Sequence, residues 1–424
     1  MSRVEGLFNW NNGHDDRVTS IIDIQPHPPQ GSNLDINIVD ESPRDGLQGV
    51  SNVSPTVVDK LKLVGLAKAI GIRECTVGIY GGQEANYVTS EVVSRMSDMD
   101  VKPIVLGRAL NVDTEFMTQL YDSNPKLVPL MFFGSSGLRT KVEGWDMDQM
   151  FLDLAKSTDT LAKLGAEVMV ATEDTTRTTP DDLIKLARVA IDHGAKRICI
   201  ADTVGTATCV GAYRIVKFLR NWMDENGGKD ISIDWHGHND IGWAVPNALA
   251  AVAAGAESVH GVITGIGERA GNMPLEIFLV NLAHLDIAHN YDLTNIMEYA
   301  EAYSQLTGVP IPKYAPVIGG NAFNTIAGIH AAAIKKALER KDLNTAALVY
   351  SAYSPQLLGR ELTTEIGLYS GLSNVYLYCM LNHLSQPNHE QAEIILAKAQ
   401  YILKGERRTI TKEEVNEMLQ LKKV

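Results

Sequence analysis

The sequence is short of cysteine and of net positive charge, and it has no long apolar run. Its four cysteines, Cys75, Cys199, Cys209 and Cys379, are widely spaced with no CxxC pair. That pattern excludes a disulfide framework and reads as free thiols in a reducing compartment. Lys and Arg total 38 against 51 Asp and Glu, a net charge of -13, and no block of like charge stands out. A nucleic-acid binder would need a basic stripe, and so would a protein seated on an anionic membrane. A local cluster of Arg can still reverse the field inside a cleft, so a small anionic substrate stays open. No run approaches membrane-spanning length, and the start, MSRVEGLFNWNNGHDDRV, lacks the apolar core of a signal peptide. A soluble cytoplasmic protein is expected, with neither nucleic acid nor membrane as partner. Short-period repeats and low-complexity tracts are missing too.

What is present is a rhythm. After a polar arm over residues 1–33, rich in Pro and Gly, short runs of Val and Ile alternate with stretches of helical period. The strand-like runs are 35–40, 72–77, 102–107, 127–134, 166–171, 197–202, 231–236 and 257–263. Helix starts are marked at Ser54-Pro55 and at Thr179-Pro180-Asp181-Asp182, where a hydroxyl cap, a proline and acidic residues coincide. His193-Gly194 and Ala254-Gly255 supply glycine where a helix ends in the left-handed conformation. Eight strand–helix pairs in about 250 residues predict an α/β fold of the TIM (β/α)8 type over 34–288. An open doubly wound sheet would show GxGxxG after its first strand, and this chain has none there. Residues 289–424 read as a mostly helical accessory region, through NIMEYAEAYSQL, TIAGIHAAAIKKALER, HEQAEIILAKAQYIL and TKEEVNEMLQL.

In such a barrel the active site lies at the C-terminal ends of the strands. Those ends carry Arg44, Asp45 and Gln48 (first), Glu74 (second), Arg108 (third), and Ser135, Ser136 and Arg139 (fourth). The fifth carries Glu173, Asp174 and Arg177, the sixth Asp202 and Thr203, and the eighth runs into GIGERAGN, residues 265–272. The seventh ends in DWHGHND. Side chains two apart on a strand point the same way, so His236 and His238 face one side together, with Ser232 and Asp234. Two convergent imidazoles suit a divalent metal, with Asp45 the nearest acid to complete the set and Zn, Mn or Mg as the ion. A bare HxH pair equally suits strand-end capping; the ring of acids and arginines around it favours the metal. Arg44–Asp45 and Asp174–Arg177 also fit plain ion pairs. The glycines and backbone N–H groups of GIGERAGN suit a phosphate, which makes Gly265, Gly267, Glu268 and Arg269 candidate cofactor contacts.

RDGLQ, TEDTTRT, HGHNDIGWAVPNALAAV and GIGERAGNMPLE together resemble the DRE-TIM metallolyases. Within them, the last two are most similar to the acyl-CoA-condensing synthases that make 2-isopropylmalate, homocitrate, citramalate and Re-type citrate. The resemblance spans about 35 to 285 and continues more weakly through AGIHAAAIKKAL and the stretch from Tyr350 to SGLSNV. It implies a metal held by Asp45, His236 and His238, with Asn272 as a further ligand. It implies that Arg44 stabilises the alkoxide, that Glu173 orients substrate or carries a proton, and that Thr203 binds the acceptor carboxylate. His330 and Tyr350, with Tyr353 as the alternative tyrosine, would come from the accessory region. In this family that region usually completes the active site of the partner subunit in a homodimer. The co-substrates implied are acetyl-CoA and a 2-oxo acid, and which of Glu173, His330 and Tyr350 is the base stays open.

Several positions depart from the family pattern. Leu47 stands where synthases usually have Glu, and PRDGLQ is also how hydroxymethylglutaryl-CoA lyases read. A retro-aldol lyase is therefore the alternative, and an inactive binding barrel a third reading. Ala171 replaces a serine that often touches the acceptor carboxylate, and Ala-Ala-Ala follows His330 in place of Gln-Asp-Gly. Arg139, in GSSGLR, resembles the homocitrate synthase form and would pair with a second carboxylate. That predicts a dicarboxylic acceptor such as oxaloacetate or 2-oxoglutarate, unless Arg139 is spent on Glu143 or Asp146. Gln48, Arg108 and Ser135 complete the candidate substrate contacts. The tail from 385 is too short for the leucine-binding regulatory domain, so feedback through one is not expected.

Overall fold

The structure is a computed structural model that describes Trp10, residues 25–287 and residues 290–420. Most of the expected N-terminal arm, and the expected domain boundary at 288, lie outside the described residues. Two compact units emerge: residues 1–292 with 298–310, and residues 293–297 with 311–424.

The first unit is a closed barrel of eight parallel strands in sequence order. They are β1 (Asn37–Asp40), β2 (Glu74–Ile79), β3 (Lys102–Arg108), β4 (Val128–Gly134), β5 (Met169–Glu173), β6 (Arg197–Asp202), β7 (Ser232–Gly237) and β8 (Ser258–Gly261). β8 closes on β1, with Val39 opposite His260. Alternation sorts the two faces. Outward residues such as Ile38, Ile198, Ile233, Trp235 and Val259 are fully buried beneath the helices. The inward face divides. Over β3–β5 it is apolar, with Ile104, Leu106, Val128, Leu130, Met169 and Ala171 packed together. Over β6, β7, β8, β1 and β2 it carries Arg197, Asp234, His260 and Glu74, all buried.

Local chemistry sets the helix ends. Thr179 caps the helix Pro180–His193 by accepting from Asp182 N, and Gly194 ends it at φ 82°. The expected start at Ser54-Pro55 falls two residues early. Thr56 is the cap of Val57–Ala69, because Asp59 stands at its third helical position and completes a reciprocal capping box. Helix Ile296–Thr307, assigned from sequence to the accessory region, lies almost wholly within the barrel unit, where Tyr299 Oη donates to Asp40 Oδ2.

The second unit contains helices Gly328–Glu339, Leu343–Leu348, Leu372–Leu381, His389–Glu406 and Lys412–Gln420. It also has a short parallel pair, β9 (Asn324–Thr325) with β10 (Thr363–Thr364). Helix Leu372–Leu381 serves two cores: Val375 and Cys379 pack with Ile395 and Ile402, while Leu377 packs with Ala331 and Ile334. Among the described residues no helix is long and apolar enough to cross a membrane.

Candidate active site

The turn after β1 is fixed by its own polar groups. Asp40 Oδ1 accepts from Ser42 N at 2.8 Å and from its Oγ at 2.5 Å, and Ser42 Oγ in turn accepts from Ile263 N. This presents Arg44 and Asp45 at the barrel mouth. Arg44 donates from Nη2 to Glu41 Oε2 at 2.6 Å and from Nη1 to Asp45 Oδ1 at 3.0 Å. Its Nε is buried and has no hydrogen-bond partner.

β7 delivers His236, and the chain continues one step further through a bridge between His238 and Asn272. His236 Nε2 and His238 Nε2 lie 3.3 Å apart. Asp45 Oδ2 lies 3.5 Å from the first and 3.6 Å from the second. That oxygen is buried without a hydrogen-bond partner, as is Asn272 Oδ1. Burial and the neighbouring His236, Arg269 and Arg44 push His238 down to about 4, against the pull of Asp45, so its imidazole is neutral at pH 7. Burial would raise Asp45, but Arg44 and the two histidines hold it well below the usual carboxylate range. An ionised carboxylate with an orphan oxygen beside two imidazoles, one of them held neutral, is a donor set that fits a divalent cation.

These groups open into a cavity of about 350 Å³ within the barrel unit. Its polar rim includes Arg44, Asp45, Gln48, Glu173, Thr203, Glu268 and Arg269; its wall is Ile79, Leu106, Leu130, Phe132, Ala171 and Ala201. Burial raises the Glu173 carboxyl, with Arg139 opposing and Asp174 and Glu143 adding to the rise. Thr203 Oγ1 accepts from Asp174 N at 2.8 Å.

Other sequence candidates are engaged away from the lining. Arg108 makes two side-chain hydrogen bonds to Asp113 and lies over Tyr80. Ser135 Oγ is buried 2.5 Å from Thr178 Oγ1. Arg139 donates to Glu143 at 2.8 Å, pairs with Glu173 at 3.4 Å and lies over Trp145. Arg269 is at the rim but ties loops together, donating to Asp240 at 2.7 Å and to Thr203 O at 2.6 Å. Gly267 is required by close approach: a Cβ there would meet Asn272 Nδ2 at 2.2 Å. Gly265, at φ 70°, accepts from Asn272 N and so folds the loop back toward β7.

In the second unit His330 and Tyr350 stack with ring centroids 3.8 Å apart, both exposed, whereas Tyr353 packs edge-on against Phe323. The structure thus puts Tyr350 beside His330.

Sequence reasoning missed Glu41 and His260. The signal was available for one of them: His260 shares inward parity with Ser258 near the end of a strand-like run. It takes Glu41 Oε1 on Nδ1 at 3.0 Å and Asp234 Oδ2 on Nε2 at 2.9 Å. Burial alone would lower it, but these two carboxylates raise it to about 9.

Comparison with known proteins places these features. The family model described as HMGL-like matches residues 35–302. A 2-isopropylmalate synthase of Sulfurisphaera tokodaii is 31% identical over 80% of this chain and 83% of its own. A homocitrate synthase of Methanocaldococcus jannaschii is 28% identical over 87% of each. Among solved structures, the hydroxymethylglutaryl-CoA lyase of Pseudomonas aeruginosa superposes with a TM-score of 0.57 at 17% identity. That match covers 68% of this chain and 96% of the lyase, and speaks for the fold alone.

Proposed function

The chain belongs to the HMGL-like family of DRE-TIM barrels, and from that premise we propose that it condenses acetyl-CoA with a 2-oxo acid. The acetyl methyl carbon would lose a proton and bond to the keto carbon, whose oxygen takes up a proton. Water would then cleave the thioester, giving a 2-hydroxy diacid or triacid and free CoA. The observation that carries this reading is Asp45, His236 and His238 converging beside Arg44 in the cavity at the barrel mouth.

Asp45, His236 and His238 would hold a divalent cation, Mn, Mg or Zn, with Asn272 Oδ1 as a further donor. Bound there, the ion would act as a Lewis acid toward the keto oxygen. Arg44, clamped by Glu41 and Asp45, would place its guanidinium where negative charge develops on that oxygen. Glu173, its carboxyl raised by burial, is suited to holding and passing a proton at the cavity rim. Thr203 and Gln48 would bind the acceptor carboxylate. His330 and Tyr350 would supply the remaining acid–base groups from the partner's second unit in a cytoplasmic homodimer.

The acceptor's substituent would face Leu106, Leu130, Phe132 and Ala171. A dicarboxylic acceptor would call on Arg139, whose guanidinium bonds Glu143 and pairs with Glu173. Arg139 Nη1 is bonded to Glu143 and the side chain does not line the cavity, whose wall is apolar, so the lining favours a short apolar substituent. The test is metal-dependent release of CoA thiol from acetyl-CoA, with pyruvate, 2-oxoisovalerate, oxaloacetate and 2-oxoglutarate offered separately. Release with pyruvate or 2-oxoisovalerate is expected. Preference for a diacid would mean that Arg139 leaves Glu143 to bind the second carboxylate. Silence across the panel with cleavage of hydroxymethylglutaryl-CoA would replace the synthase by the retro-aldol lyase.

A further inference from the structure

Glu41 lies one residue beyond β1 with a side chain only 1% exposed, outside the Asp45–His236–His238 set but grouped with His236 and His260. Three groups face its carboxylate. Arg44 Nη2 donates to Oε2 at 2.6 Å, His260 Nδ1 lies 3.0 Å from Oε1, and His236 Nδ1 lies 3.8 Å from Oε1. The other nitrogen of His236, Nε2, is the one aimed at Asp45 and His238. A histidine that offers one ring nitrogen to a cation must carry its proton on the other, and an outer carboxylate commonly accepts that proton's hydrogen bond. Glu41 is placed for that task. At 3.8 Å His236 Nδ1 is in ion-pair range of the carboxylate, which its bonds to Arg44 and His260 hold in place.

His260 is anchored in turn. Its Nε2 meets Asp234 Oδ2 at 2.9 Å, Asp234 takes Arg197 Nη2 at 2.5 Å, and Arg197 Nη1 reaches Glu74 at 2.6 Å. The carboxylate of Glu41 therefore links a line of paired charges inside the barrel to Arg44 and, through it, to Asp45. We propose that Glu41, fixed by His260, is a positioning residue that aims both the His236 imidazole and the Arg44 guanidinium. His260 also packs edge-on against His236, with ring centroids 5.5 Å apart, but its hydrogen bond toward the site is made through Glu41. The catalytic half of this inference rests on the condensation proposed above; the metal half does not.

The experiment uses full-length protein stripped of metal, with Mn²⁺ binding read from the free-ion electron paramagnetic resonance signal. Glu41→Gln should weaken Mn²⁺ affinity by about 10–100-fold, the range for loss of an outer partner of a ligating histidine. His260→Gln should weaken it by a smaller factor, and the double variant should match Glu41→Gln alone, because the two act in series. Where the condensation runs, Glu41→Gln should lower kcat while the KM for acetyl-CoA holds, since Arg44 would be misaimed at the acceptor alone. Mn²⁺ affinity within twofold of wild type in Glu41→Gln, or losses that add in the double variant, would overturn the proposal. Should Glu41→Gln fail to fold, His260→Gln decides, because unchanged Mn²⁺ affinity there is equally fatal. A wild type that binds Mn²⁺ but turns over no acceptor would sink the condensation and leave the metal test standing.

Discussion

His238 and His260 sit on adjacent strand ends in the same barrel, nearly equally buried, and are driven to opposite protonation states. His238 is pushed down to about 4 and His260 up to about 9. Burial acts on both in the same direction, so it cannot be what separates them. The difference is that carboxylates hydrogen-bond His260, whereas His238 has none in bonding distance and faces His236. His260 has Asp234 and Glu41, one on each nitrogen. His238 shares the single carboxylate of Asp45 with His236, and Arg269 and Arg44 press on it from nearby. One imidazole is thus left as a lone-pair donor and the other made a double hydrogen-bond donor. A barrel can build both from one residue type by distributing acids around it.

The strongest way to break the comparison is Asp234→Asn. It takes one carboxylate from His260 and leaves Arg197 without its closest buried partner. Removing one member of a buried ion network costs about 3–5 kcal/mol. Equilibrium urea unfolding should show that loss with the slope against urea unchanged, whereas a loss under about 1 kcal/mol would mean the network is already hydrated.

Asp45→Asn strikes the other member of the pair. It should weaken Mn²⁺ binding, and CoA release with it, by more than about 100-fold, beyond what outer partners contribute. Because Asp45 raises His238 while the surrounding charges lower it, the imidazole should stay neutral in the variant. An NMR titration of metal-free protein that found His238 protonated at pH 7 would contradict this account.

The opposed shifts also predict opposed limbs in stability against pH. A histidine raised to about 9 from its ordinary 6.5 contributes fully below pH 6.5 and loses its contribution as pH climbs through 9. One lowered to about 4 contributes above pH 6.5 and loses it as pH falls through 4. Each limb amounts to something on the order of 3 kcal/mol. In metal-free protein, His260→Gln should flatten the alkaline limb and His238→Asn the acidic one. Thermal melts from pH 4 to 10 that showed either substitution flattening the wrong limb would reverse the assignment.

Only one of these histidines was legible in the sequence, and the reason is distance along the chain. His236 and His238 announce themselves because strand alternation brings residues two apart to one face. Glu41, Asp234 and His260 are brought together by the register of β7, β8 and β1, with Asp234 opposite Ser258 and Val39 opposite His260. A single sequence does not print that register. The barrel, its eight strands and the ends Thr179 and Gly194 were readable because period and capping are local properties. What an arginine does at a strand end was legible only in part. Arg139 took the alternative partner the sequence offered, Glu143 one helical turn away, while Arg108 found Asp113, a pairing that a count of cations does not foresee. Helix Ile296–Thr307 was placed with its sequence neighbours, although Tyr299 hydrogen-bonds Asp40 at the end of β1.

The smallest expected effect sharpens the comparison most finely. Arg269 lowers His238 by charge alone, whereas Asp234 and Glu41 raise His260 through hydrogen bonds as well as charge. Its side chain is 41% exposed and bonded to Asp240, so salt should screen its reach. Arg269→Gln should therefore raise the His238 titration in metal-free protein by less than about one pH unit at low ionic strength. Added salt should erase most of that difference and leave His260 where it is, because direct hydrogen bonds inside the barrel are not screened by mobile ions. If salt instead moved both histidines together, the contrast between them would belong to the long-range field of the barrel rather than to the carboxylates each one touches.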